Sequence, residues 1–110
     1  MDWIKHLDGS VIVSDAHGKI VYRNEKAYKT FVKPGEPDLV GRDLMECHND
    51  HSRDIIRRIM ATGEKNVYTI EKNGVKKLIY QTPWMEHGIF KGLVELSLEV
   101  PAEMPHFVRT

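Results

Sequence analysis

The chain has 110 residues, and Lys plus Arg equals Asp plus Glu at 16 each, so its formal net charge is zero. That length corresponds to one domain, 1–110, able to bury a core without disulfides, and the absence of any block of like charge excludes a nucleic-acid arm or a polybasic membrane patch. A single cysteine allows no internal disulfide, no apolar run nears the roughly 18 residues that span a bilayer, and no signal-peptide pattern is present, so a reducing, cytoplasmic setting is expected.

Residues 1–7 (MDWIKHL) carry Trp3, Ile4 and Leu7 at helical spacing. Such a turn is too short to hold alone and must dock on its own domain or on a partner. Residues 10–15 (SVIVSD) are β-rich, the turn Asp15-Ala16-His17-Gly18 follows, and 19–23 (KIVYR) resume the strand pattern. The two runs predict a hairpin. Asn24 is placed to cap a helix bearing Ala27, Tyr28 and Phe31 on one face, which the Pro34 and Pro37 stretch ends.

Residues 38–60 (DLVGRDLMECHNDHSRDIIRRIM) lie between the strand blocks and hold Cys47, His48 and His51 within five positions. Residues 39–45 predict a short helical piece opening at Gly41-Arg42. Asn49, Asp50 or Ser52 caps a second helix whose apolar stripe is Ile55, Ile56, Ile59 and Met60, with Gly63 as its C-terminal cap.

From 65 onward the period is two. Strands are predicted at 65–71, 76–84 and 91–100, joined by the hairpin signal Asn73-Gly74 and a turn at 86–88. In the last strand Val94, Leu96, Leu98 and Val100 share one face and Glu95, Ser97 and Glu99 the other. The order β-β, short helices, β-β-β predicts an α+β fold: a five-stranded antiparallel sheet with short helices covering one face, and a pocket between the layers.

This order, with three local patterns, resembles the PAS sensor-domain family over a core of about 8–100. The patterns are Asp15-x-x-Gly18-x-Ile20-x-x-x-Asn24, Leu39-Val40-Gly41-Arg42-x-Leu44, and the Gly63-Glu64 helix end leading into three strands. The resemblance implies a PAS-like sensory or protein-interaction module that binds a small ligand or cofactor between sheet and helices, signals to a protein partner or an output domain, and dimerises. With no kinase, cyclase or DNA-binding domain attached, the chain is expected to be an excised piece or to act through a partner. No nucleic-acid or membrane partner is expected. The expected ligand pocket is formed by Ile12, Tyr28, Leu44, Ile55, Ile59, Leu78, Leu96 and Leu98.

Two other readings stand beside this one. In the first, large apolar side chains fill the pocket, and the chain is a ligand-free dimerisation domain using the sheet and the Trp3-Ile4-Leu7 turn. In the second, Cys47, His48 and His51 supply a thiolate and two imidazoles for a metal, although Asn49 and Asp50 suggest a turn inside the motif and no second cluster supplies a fourth ligand. The bland reading of that stretch is a corner with Cys47 as a small buried residue.

The family resemblance adds haem as a possible cofactor, with His51 ahead of His48 as axial ligand and Ile55, Ile59, Leu78 and Leu96 around the porphyrin. Flavin photochemistry is disfavoured, because Leu44 stands where photosensor members of the family place their cysteine. Tyr68, Tyr80 and Trp84 on the late strands are read as core or dimer surface. Arg53, Arg57 and Arg58 are read as a solvated face with local ion pairs. The chain has no G-x-S-x-G elbow, phosphate-binding glycine loop or H-E-x-x-H motif, so a non-enzymatic role is expected.

Overall fold

A computed structural model describes residues 1–47 and 49–110, with Cys47 described through its backbone alone. The elements are β1 (Ser10–Asp15), β2 (Ile20–Arg23), α1 (Glu25–Phe31), a 3-10 turn (Leu44–Cys47), α2 (Asp50–Thr62), β3 (Asn66–Lys72), β4 (Val75–Glu86) and β5 (Ile89–Val100). The strands form one antiparallel sheet in the order β2-β1-β5-β4-β3, so the first and last strands pair at its centre.

The helix ends follow the local chemistry. Asn24 caps α1 by accepting from Ala27 N, and Asn49 caps α2 by accepting from Ser52 N. Gly63 closes α2 in the left-handed conformation, its N–H donating to Ile59 O. The β3–β4 turn takes positive φ at both Asn73 (54°) and Gly74 (78°), the backbone of a two-residue hairpin whose twist matches its strands.

Asn24 does more than cap. Its Oδ1 also accepts from Val11 N, and its Nδ2 donates to Ile4 O and Gly9 O, all within 3.0 Å. One buried amide therefore ties the N-terminal turn, β1 and α1 together, and Glu25 N adds a bond to Lys5 O. The 1–7 turn docks on its own domain through these backbone groups, while Trp3 stays exposed.

The expected helix at 39–45 does not form. Instead Gly41 N donates to Ile20 O, Ile20 N donates to Arg42 O, and Leu44 N donates to Gly18 O. The stretch runs beside the free edge of β2, where the edge's backbone groups offer it better partners than a one-turn helix would. Helical structure starts only at Leu44. Arg23 fixes the same loop by a two-point bond to Asp38 (3.0 and 2.8 Å), and its guanidinium lies over the Tyr28 ring.

The core lies between β1, β2 and β5 on one side and the helices on the other: Ile12, Ile20, Ala27, Leu39, Leu44, Ile56, Ile59 and Leu93 are all buried there. Opposed residues of antiparallel strands share a face. The row Ile12–Glu95–Gln81–Asn66 and the row Ser10–Ser97–Ile79–Tyr68 therefore belong to the helix-covered face. The row Val11–Leu96–Tyr80–Val67 and the pair Leu78–Leu98 belong to the opposite face.

Candidate functional site

Between the covered face of β3–β5 and the helices lies a cleft with three adjoining lobes. The first, about 310 Å³, has His51, Ser52 and Ile55 of α2 facing Asn66, Tyr68 and Gln81. The second, about 250 Å³, includes Ile12, Phe31, Leu44, Arg42 and Glu95. The third, about 320 Å³, runs past Phe31, Tyr68, Ile79, Glu95 and Ser97 to Lys72 and Lys77. Tyr68 is common to the first and third, and Phe31 and Glu95 to the second and third. The first and third lobes are at the small end of the range that accepts a small molecule, and the second lies just below it.

The floor is polar. Asn66 Nδ2 donates to Gln81 Oε1 (3.0 Å), and Gln81 Nε2 donates to Glu95 Oε2 (2.9 Å), along one row of the sheet. Gln81 is only 2% exposed, so both of its amide ends need partners, and both have them. Burial raises the Tyr68 hydroxyl pKa, and the nearby Glu95 charge adds to the rise.

The residues expected to form the pocket divide. Ile12 and Leu44 line the second lobe and Ile55 the first. Ile59 is packed into the core. Tyr28 is on α1, exposed and stacked with Arg23, and lines none of these lobes. Leu78, Leu96 and Leu98 stand on the other side of the sheet, because their register pairs them with Thr69, Tyr80 and one another rather than with Ile12 or Ile79. The alternation in β5 is as expected, but its polar side, Glu95 and Ser97, faces the helices. Tyr68 shares that covered side, whereas Tyr80 and Trp84 face away. Sequence reasoning thus missed Asn66, Tyr68, Gln81 and Glu95. The signal was their common parity with Ile79 and Ser97, set by the register rather than by hydrophobicity.

The Cys47/His48/His51 motif gives no assembled centre among the described residues, where no three His, Cys, Asp or Glu side chains gather as a metal cluster. His48 and the Cys47 side chain lie outside those residues. His51 is an exposed residue at the start of α2, lining the first lobe. The expected haem cage does not fit: Leu78 and Leu96 are on the far face, and Ile59 is committed to the core. Arg57 pairs with Asp54 at 3.0 Å and Arg53 with Asp50 at 3.8 Å, the local ion pairs of a solvated helix face.

The sequence matches no protein-family model and no curated protein. Its structure resembles solved PAS domains. The PAS domain of the histidine kinase ThkA is 16% identical at a TM-score of 0.65, covering 82% of this chain and 98% of that one. The Aer2 receptor from Vibrio cholerae, described as a dual PAS-heme oxygen sensor, is 17% identical at 0.62, covering 84% and 95%. The VqmA dimer from Vibrio cholerae is 17% identical at 0.70, and the 90% of this chain that aligns spans 49% of the VqmA chain. VqmA has also been solved bound to DPO.

Proposed function

From the premise that the chain carries the PAS fold, we propose that its 110 residues work as one non-enzymatic sensory module in the cytoplasm. It binds a small ligand in the cleft between sheet and helices and passes the change to a signalling partner or output domain by protein contacts. The observation that carries this reading is the three-lobed cleft over a polar, hydrogen-bonded floor. A pocket filled by its own side chains would have apolar residues at Gln81, Glu95 and Ser97. A ligand that bridges floor and helices shifts the helix positions by the difference in its affinity for the two arrangements. The structural relatives include sensor proteins, which favours the same reading. No helix is long and apolar enough to cross a membrane, and neither membrane nor nucleic acid is part of the proposal.

Native mass spectrometry of the protein as purified tests this. An added mass lost on denaturation is the expected result. A bare mass, together with no thermal stabilisation by any member of a metabolite library, would sink the ligand reading.

The apolar outer rows, Leu78, Tyr80, Leu96 and Leu98, favour a second reading in which the chain pairs with another copy through that face. Sedimentation at increasing concentration is expected to show a homodimer that Leu96→Lys dissociates. A concentration-independent monomer mass rules this pairing out.

A further inference from the structure

The two edges of the sheet are treated differently. At the β2 edge, backbone bonds join the 41–44 stretch to Gly18 and Ile20. At the other end of the strand order, β3 has β4 on one side and, among the described residues, no strand or bridge on the other. An open edge offers its row of N–H and C=O groups to any extended chain, and the usual guards are a proline, a bulge or a charge in mid-strand. β3 carries none of these. Its register with β4 is unbroken from Asn66 to Lys72, and its middle residues, Val67, Tyr68, Thr69 and Ile70, are uncharged and exposed.

The charges stand only at the ends, and their order is self-complementary. Residues 64–72 read Glu-Lys-Asn-Val-Tyr-Thr-Ile-Glu-Lys. Laid antiparallel on itself about Tyr68, the segment sets Lys65 opposite the partner's Glu71 and Glu64 opposite the partner's Lys72, each twice by symmetry. Opposed residues share a face, and the faces of the inner pair agree. Lys65 lies over the ring of Tyr80, on the outer side of the sheet, and Glu71 has the outer parity of Val67. All four charged residues are exposed. A slip of two residues loses these pairs, because Glu71 then meets Val67 or Gly63, and a slip of one sets the covered face against the outer face. A parallel, in-register stack, the arrangement of a fibril, places every charge on its like.

We propose that β3 pairs antiparallel with β3 of a second copy, in the register centred on Tyr68, so that one sheet runs through a symmetric dimer. This contact is separate from the outer face. It sets the clefts of the two copies side by side, because Tyr68 lines the first and third lobes and Asn66 the first.

Exchange of charge tests the pairing. In Lys65→Glu, and equally in Glu71→Lys, like charges oppose at the 65–71 positions, whereas one copy of each variant together restores opposite charges. 15N-labelled Lys65→Glu is titrated with unlabelled Glu71→Lys and, in parallel, with unlabelled Lys65→Glu, and the amide shifts are followed. The mixed titration is expected to move the amides of 66–70 saturably and to be about tenfold tighter, since two cross-strand ion pairs replace two like-charge contacts. Added salt is expected to narrow that difference. Wild-type protein is expected to show the same amide shifts with rising concentration, a measurement that stands even if a variant does not fold. Equal tightness in the two titrations, or wild-type amides at 66–70 that ignore concentration, overturns the proposal. Shifts confined to Leu78, Tyr80, Leu96 and Leu98 overturn it as well and assign self-association to the outer face.

Discussion

The two faces of the sheet are built on opposite plans. Under the helices, the β1–β2 side is a dry core around Ile20, Ile56 and Leu93, but the β3–β5 side carries Asn66, Gln81, Glu95 and Ser97. On the outside, the same three strands present Leu78, Tyr80, Leu96 and Leu98. A half-covered antiparallel sheet ordinarily turns its apolar side inward. Here the inward side of three strands is the polar one, and a buried polar row costs stability unless each member is paired. The expense is met by the Asn66–Gln81–Glu95 bonds, and the difference between the faces teaches that strand register, not hydrophobicity alone, decides which side the helices cover.

The strongest challenge to this contrast is a pair of truncations. Ile56 is fully buried, so Ile56→Ala is expected to cost about 2–5 kcal/mol in urea unfolding. Leu96→Ala on the half-buried outer face should cost roughly 1 kcal/mol, half the value of a fully buried leucine. Equal losses would mean that the outer face is as well covered as the core.

Gly92 sharpens the outer side. A Cβ there would run into the Ser14 carbonyl and the Trp84 indole nitrogen, whose N–H donates to that carbonyl (3.3 Å). Gly92→Ala is expected to cost about 1–3 kcal/mol by overpacking, with the Trp84 indole N–H resonance shifting toward a free position. An unmoved resonance would show that the Trp84 contact is incidental.

Gln81→Leu tests the inner side. Asn66 loses the Gln81 acceptor and Glu95 the Gln81 donor, at an expected cost of about 1–2 kcal/mol despite the added apolar contact. A stabilised variant would show that the polar floor is kept for function alone.

The smallest effect belongs to Asp38. The Arg23 guanidinium holds its carboxyl at about 2, below the ordinary 3.8. A lowered acid adds stability above its unfolded pKa and loses it as pH falls through its folded pKa. The melting difference between wild type and Asp38→Asn is therefore expected to be full above about pH 4 and to shrink toward pH 2. A difference independent of pH would remove the charge from the explanation.

Much of the fold was legible in the sequence. Asn24, Gly63 and Asn73-Gly74 each announce a cap or turn by chemistry that acts within a few residues, and the change from helical spacing to a period of two marks β3 to β5. The covered face was not legible. A period of two says that Leu96 and Glu95 point opposite ways, but only the pairing of β5 with β1 decides which of them meets Ile12. The helix expected at 39–45 failed for a related reason: its competitor was the edge of β2, a partner supplied by distant sequence. The cleft follows the face: Ile12, Leu44 and Ile55 line it as expected, whereas the placement of Tyr68, Gln81 and Glu95 on the same side could be read only from the register.

The pairing of β1 with β5 has a consequence for how the protein is made. Ser10 finds its partner at Ser97, and at ribosomal rates of about 5–20 residues/s that partner is synthesised roughly 4–17 s later. Until then β1 has only β2 beside it, and a lone hairpin is marginally stable in water. Over that interval the nascent chain holds an apolar strand with one side unpaired. This is a window in which a chaperone, or a neighbouring chain on the same message, competes with β5 for its place.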